Sequence, residues 1–491
     1  MLSLLLVAGV VASCSQSPQA KPPSGPSTLR IGVASNSPAI FRSFLSTFLF
    51  DSLVGIGWDG RPMKRVISDW HWSDNQLQLH LTLRSNLQFH DGTPIEVPFF
   101  KTSLETLLRK PQPTGINVSF SSVVGVEIGE EKDVVIKLSR PEAFLLSDLA
   151  NLSLTHPTKP DVGLGPYRLI ENGDEKTRLA AFDNYYQGRP NIDFIEAAQF
   201  QEQRGSWAAL MRGQIDAVHE ITPGAMQFVE AEGQTRVHTF PFTRPYYFQL
   251  VFNVRHPILK KPAVRQALSY GVDRQAVIDS GFNGQGMVAD GPIWPYYWAY
   301  STAPKTYTHN VEAATLRLDS AGLRIKSTPG HMPSRLRITC LTLAKDQRYE
   351  KIALVLQKQF YEIGVDMVIE TLPGKELVTR LESGDFDTIL IERTSGRSLT
   401  WTYGFFHSSM SKRGYTAADG VLDEMRTTTD EARIRTAVSD LQQIFFENPP
   451  AIFIAWPRVA RVVSNKFVVP EEKGRDVMSS IWQWKAAEAT R

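Results

Sequence analysis

Cysteine is nearly absent from this chain. Only Cys14 and Cys340 occur in 491 residues, which excludes the disulfide scaffold that stabilises many small secreted domains. Charge of one sign is missing as well. With 53 basic and 51 acidic residues the formal net charge is +2, so there is no strong field to hold a nucleic-acid backbone or an anionic bilayer. Nucleic acid is not an expected partner. Catalytic signatures are wanting too: there is no HExxH, no GxSxG and no cysteine with a plausible histidine partner, and the ten histidines are scattered without metal-ligand spacing. Neither a metal nor another cofactor is expected. Internal repeats, heptads and long low-complexity runs are also lacking, which removes solenoids and coiled coils.

What remains is an ordinary globular composition, 42% hydrophobic and 21% charged. A chain of this length exceeds one hydrophobic core, so at least two domains are expected. Met1 to Ala12 is apolar or small, and it is shorter than the roughly 20 residues needed to span a bilayer. A signal-peptide core over residues 1–13 fits better, although no Lys or Arg precedes it. The run ends Val11-Ala12-Ser13-Cys14, which looks like a lipobox whose cysteine accepts a diacylglycerol. A Pro/Ser-rich stretch follows, and residues 14–27 read as a lipidated tether. A chance cysteine behind an ordinary cleavable signal is the alternative.

Leu29 to Ala34 reads as a first strand, followed by the turn Ser35-Asn36-Ser37-Pro38. Leu77, Leu79, Leu81 and Leu83 alternate with polar residues and predict a half-buried strand. Phe89-His90-Asp91-Gly92-Thr93-Pro94 reads as a tight turn leading into a helix over Phe99 to Leu108, rather than as a metal site. Val123 to Leu138 suggests a hairpin. In Gly163-Leu164-Gly165-Pro166-Tyr167-Arg168-Leu169 no GxxxxGK[ST] is present, so a return strand fits better than a phosphate cradle. The aromatic run Tyr246 to Phe252 predicts a strand, and Ala263 to Tyr270 a helix with Val264, Ala267 and Leu268 inside. Further on, helical spacing over Lys351 to Gly364 and apolar runs at Leu336 to Leu343, Val365 to Ile369 and Thr388 to Ile391 argue for an α/β unit. Cys340 falls inside one of those runs and reads as an inert buried thiol. A long helix over Glu431 to Glu447 then feeds a strand from Ala451.

Phe252-Asn253, Pro257, Pro262, Val264-Arg265-Gln266-Ala267-Leu268 and Asp273-Arg274 resemble the lobe-crossing segment of bacterial solute-binding proteins of the peptide/nickel class, family 5. The FHDGTP wording, Gly163 to Leu169, Phe182 to Tyr186, Leu210 to Ala217 and Gly384 to Asp387 resemble the same family in order, so the likeness spans roughly residues 28 to 485. It implies an α/β, two-lobe periplasmic-binding-protein-like fold of class II, enlarged by a β-rich subdomain. The implied division is 28–52, 163–250 and 448–491 for lobe I, 53–162 for the subdomain and 251–447 for lobe II. It also implies the substrate-binding component of an ABC-type importer, a monomer that captures a peptide or similar solute and delivers it to membrane permease subunits. Such a protein is held outside the cytoplasmic membrane by a lipid on Cys14. A secreted hydrolase or a solute-sensing regulator remains the alternative.

The expected ligand contacts are Asn36 and Ser37 from the first strand's loop, Tyr247 and Phe248 at the crossing, and Arg393, Ser395, Arg397 and Trp401 from the second lobe. In the family's peptide binders an acidic residue near this last segment pairs with the peptide α-amino group. Here Glu392 stands at the strand end, and two arginines with a run of hydroxyls fill the loop. Guanidinium presents a planar fork of donors matched to carboxylate or phosphate, so the residues lean toward an anionic or polyoxygenated ligand. Solvated or internally paired arginines are the bland alternative.

Overall fold

The computed structural model describes residues 25–488 apart from 36, 111–119, 132, 174–175, 223–224, 226–235, 328–332, 412 and 473. The leader, most of the tether, Cys14 and Asn36 therefore lie outside the described residues. A strand of fourteen residues, Ala451–Ser464, organises everything else. Its first part pairs antiparallel with Tyr246–Phe252, and its last part pairs with Val237–Thr243 and Ala217–Ile221. Between these, Ala455 to Pro457 pair with Gly286–Val288. A single strand thus belongs to two half-sheets of one twelve-stranded sheet.

One half runs outward through Ala217–Ile221, Thr28–Ala34, Phe194–Phe200, Lys176–Ala181 and Tyr167–Asn172. The other runs through Tyr246–Phe252, Thr388–Thr394, Leu336–Leu343 and Val365–Leu372, where parallel pairs are joined through helices such as Gln347–Glu362. Much of this second half is apolar on both faces, where helices pack from both sides. Phe248, Leu250 and Phe252 pack with Val264, Leu268, Ile352 and Phe360. Tyr247 and Val251 pack on the opposite side with Tyr403, Phe405, Phe406 and Phe453. Cys340 is fully buried among the first of these groups, and burial pushes its thiol up to about 12. A separate four-stranded antiparallel sheet, Ile67–Trp72, Gln78–Leu83, Val134–Leu138 and Val123–Ile128, carries its own core with the helix Val97–Arg109.

The two family-like arginines in Val264–Arg274 turn out to be structural. Arg265 donates to the carbonyls of Pro449 and Leu259 and to Asn448, and Arg274 donates to the carbonyl of Phe453. They fasten the helices Pro262–Tyr270 and Arg274–Phe282 to the start of the crossing strand. Asn253 has a similar duty. Its amide donates to the carbonyls of Gly384 and Phe386 and its oxygen accepts from the Arg255 N–H.

His90 and Asp91 form the expected turn. His90 Nε2 lies 3.0 Å from the Gly165 carbonyl, Nδ1 accepts from the Gly163 N–H, and Asp91 accepts from the Thr93 N–H. Gly163 and Gly165 themselves sit against the end of the helix Pro38–Leu49, where a Cβ would overlap the carbonyl oxygens of Leu49 and Phe48. Neither partner is a flexible side-chain end. Gly165→Ala is therefore expected to destabilise the chain by about 2 kcal/mol or more in urea unfolding; an unchanged midpoint would contradict this packing.

Candidate functional site

Alternation along one strand separates two electrostatic environments. In the pairing of Tyr246–Phe252 with Thr388–Thr394, Phe248 stands opposite Glu392 and Tyr247 opposite Arg393. Successive side chains point to opposite faces. Glu392 therefore shares the Phe248 side, and Arg393 shares the Tyr247 side.

On the Glu392 side carboxylates and guanidiniums alternate. A chain of carboxylates and guanidiniums runs Asp346–Arg348 at 2.8 Å, Arg348–Glu392 at 4.0 Å, Glu392–Arg244 at 3.9 Å, Arg244–Glu220 at 3.5 Å, Glu220–Arg461 at 3.6 Å and Arg461–Asp476 at 2.7 Å. It begins in the second half-sheet and ends in the first. Glu392 stands between two arginines, at 3.9 and 4.0 Å, and its Oε1 is buried without a hydrogen-bond partner.

On the Arg393 side the charges do not balance. The Arg393 guanidinium lies 4.4 Å from the ring centre of Phe405, and that of Arg413 lies 3.8 Å from the same ring. Neither has a carboxylate within salt-bridge distance among the described residues. Arg393 Nε and one terminal nitrogen of Arg413 are buried without a hydrogen-bond partner, and Arg413 is bonded through Nε to Ser411 Oγ. Burial, and then repulsion from Arg393, bring Arg413 down to about 9. Burial also lowers Arg393, and it raises the Tyr247 hydroxyl, against which the nearby arginines act.

Arg397 lies on the loop that follows this strand, Thr388–Thr394. Its Nε is buried and unpaired, and burial lowers its pKa while Asp476 opposes that change from across the crossing. Its backbone is in the left-handed region at φ 55°, directly after Gly396, also at φ 55°. A side-chain-bearing residue in that region is uncommon and marks a constrained position. The loop is held from several sides. The Ser395 N–H donates to the Pro245 carbonyl, Ser395 Oγ accepts from the Arg397 N–H, and the Trp401 ring lies against Gly396 so closely that a Cβ there would overlap it.

The expected contacts can now be placed. Tyr247, Arg393, Ser395, Arg397 and Trp401 belong to one face and its adjoining loop. Ser395, 2% exposed, serves the loop backbone. Phe248 is fully buried on the opposite face, between Phe282 and Tyr349. Ser37 precedes the helix Pro38–Leu49 in the first half and makes no side-chain cap. Arg413 was not foreseen, because nothing local in Arg413-Gly414-Tyr415 tells that it reaches Phe405.

The β-rich unit closes the site from a second direction. Gly60 packs against the Arg397 carbonyl, Trp294 Nε1 donates to the Trp58 carbonyl, and the Trp298 N–H donates to Asp59. Glu142 and Arg426 form a buried bidentate pair at 2.7 Å, and Thr400 Oγ1 donates to the fully buried Asp148 at 2.7 Å.

Solved structures with this architecture include NikA from Brucella suis in complex with Fe(III)-EDTA, with a TM-score of 0.81 at 18% identity over 94% of this chain and all of that one. NikZ from Campylobacter jejuni in complex with Ni(L-His) gives a TM-score of 0.76 at 21% identity over 93% and 99%. Among curated relatives, the oligopeptide-binding protein AppA of Bacillus subtilis is 22% identical over 435 residues, 81% of this chain and 78% of that protein. The architecture is that of a two-lobe periplasmic binding protein. The family model for bacterial extracellular solute-binding proteins, family 5, matches residues 61–416, and the chain belongs to that family.

Burial holds the Asp148 carboxyl well above its ordinary 3.8, with the Thr400 bond and Arg426 opposing the rise and Glu142 adding to it. The folded state therefore binds this proton more tightly than the unfolded chain, so the associated stability is full below 3.8 and is lost as pH rises through the raised value. Asp148→Asn keeps an acceptor for Thr400 and removes the titration. It is expected to match the parent in acid and to exceed it in urea stability as pH rises above 3.8; a difference that does not grow with pH would contradict the assignment.

Proposed function

We propose that this chain captures an anionic solute between its two lobes and serves as the substrate-binding component of an ABC-type importer. The observation that carries this reading is the pair Arg393 and Arg413 at the Phe405 ring, each with a buried nitrogen that has no hydrogen-bond partner and neither with a carboxylate within salt-bridge distance among the described residues. A buried charge is costly unless paired, and a ligand carboxylate or phosphate would supply the pairing. Tyr247 and Trp401 would border the same ligand. Ser37 and Asn36 would approach it from the first lobe, since closure requires that both lobes contribute contacts.

Relatives named for oligopeptides and nickel, and structures holding Fe(III)-EDTA and Ni(L-His), are in keeping with a cleft adapted to solutes of differing shape. Glu392 is less suited here to hold a peptide α-amino group, because Arg244 and Arg348 already flank it. The division into lobe I, a β-rich subdomain and lobe II follows the same reading, with delivery to membrane permease subunits. No described helix is long and apolar enough to cross a membrane. Attachment through a lipid on Cys14, as a monomer outside the cytoplasmic membrane, completes the proposal. Expression with labelled palmitate should mark the parent and leave Cys14→Ser unlabelled; equal labelling would remove the anchor.

A thermal-shift screen against peptides, oligosaccharides, carboxylated and phosphorylated metabolites and metal chelates tests the ligand class. A ligand specific to the folded state adds roughly 2.7 kcal/mol at a hundredfold excess over its dissociation constant. The expected result is a rise with an anionic compound that disappears in the Arg393→Ala/Arg397→Ala double variant, whose unliganded midpoint stays level or rises. A rise with neutral or cationic compounds that survives in the double variant would overturn the reading.

A further inference from the structure

The strand Tyr246–Phe252 carries one polar side chain in its middle. Gln249 is fully buried, and neither its amide nitrogen nor its amide oxygen has a hydrogen-bond partner. Its neighbours in register are Ile391 on one side and Phe453 on the other. Leucine would fill that place at no loss to the core. Orphaning both ends of a buried amide is instead costly, since each group has given up water for nothing.

Strand alternation puts Gln249 on the same face as Tyr247. Arg393 lies two residues beyond Ile391 on the neighbouring strand, which makes it the diagonal same-face neighbour of Gln249 at a typical separation of about 7–8 Å. Arg413 is 6% exposed, shares the Phe405 ring with Arg393, and has its own unpartnered nitrogen. The orphaned groups thus share one face: guanidinium donors from Arg393 and Arg413, and one donor with one acceptor from Gln249. Arg265 and Arg274 show the contrast, since backbone carbonyls take up their guanidinium groups.

We propose that Gln249 and Arg413, with Arg393, form a specificity pocket for a carboxylate that bears a hydrogen-bond donor beside it, either a hydroxyl or an amide N–H. The guanidiniums take the carboxylate oxygens, which only accept. A carboxylate alone would leave the Gln249 oxygen orphaned, so the ligand must also donate. The neighbouring O–H or N–H satisfies that oxygen. This inference rests on the anionic-solute reading and narrows it. A site built to bond a polar group rejects the analogue that lacks it, because its own buried groups are then left unpaired.

The test is calorimetric titration of the full chain with matched pairs that differ in the donor: citrate against tricarballylate, malate against succinate, and N-acetylalanine against 2-methyl-4-oxopentanoate. The expected result is that the donor-bearing member of at least one pair binds about tenfold or more tightly than its partner. In Gln249→Leu the two members should then bind equally, while the unliganded melting midpoint rises, as it should when an unsatisfied buried amide is replaced by an apolar group of similar size. Arg413→Gln, checked for an intact fold by circular dichroism, should bind neither member measurably. If the parent binds both members of every pair equally, or if Gln249→Leu keeps the discrimination, the pocket is refuted and the anionic-solute reading survives. If no member of any pair binds at millimolar concentration, both are refuted.

Discussion

A guanidinium held out of water must be paired, and the arrangement of this protein follows from where that requirement is met and where it is left open. Arg265 and Arg274 satisfy it with backbone carbonyls, Arg426 with Glu142, and Arg461 with Asp476. Those four tie the architecture together: helices to the crossing strand, the β-rich unit to the second lobe, and the crossing strand to the carboxyl-terminal segment. Arg393, Arg397 and Arg413 leave it open. Each has a buried nitrogen without a hydrogen-bond partner, and an anion from outside the chain would supply one.

The division depends on the pleat of one strand pair. Moving one residue from Glu392 to Arg393 passes from a series of alternating charges to guanidiniums without a carboxylate. The alternating side carries a continuous series of ion pairs from Asp346 to Asp476 across the place where Ala451–Ser464 passes between half-sheets. These pairs are loosely spaced at their centre, at 3.9 and 4.0 Å around Glu392. A relative motion of the lobes would alter them at little cost, since such contacts are individually weak. The unbalanced side borders the loop that the β-rich unit presses upon through Gly60. Ligand pairing and lobe contact are therefore adjacent, and a solute seated at the arginines would stabilise the arrangement in which Trp58, Asp59 and Gly60 meet Trp294, Trp298 and Arg397.

Regular elements were readable because their signals are local. The leucine alternation before Leu83, the helix Glu431–Glu447 and the strand Thr388–Thr394 emerge where spacing and composition place them. The length of Ala451–Ser464 was not readable, since the strands that pair with its last part, Ala217–Ile221 and Val237–Thr243, lie more than two hundred residues earlier. Arg393 and Arg397 could be singled out because a stretch rich in arginine and hydroxyls is unusual at such a strand end, although the strand runs on to Thr394 and holds Arg393 within it. Arg413 could not, because its partner is a ring eight residues away that only the fold of Leu399–Phe406 turns toward it. Gln249 looks in the sequence like one polar residue in an apolar strand. Only the register shows that it faces the arginines.

The central claim is that the Arg393 and Arg413 guanidiniums await an anion from outside the chain. Crystals grown or soaked in bromide test it directly through the anomalous signal. The account predicts a bromide peak within hydrogen-bond distance of both guanidiniums beside Phe405. No peak there, with either guanidinium instead paired to a carboxylate of the chain itself, would contradict it.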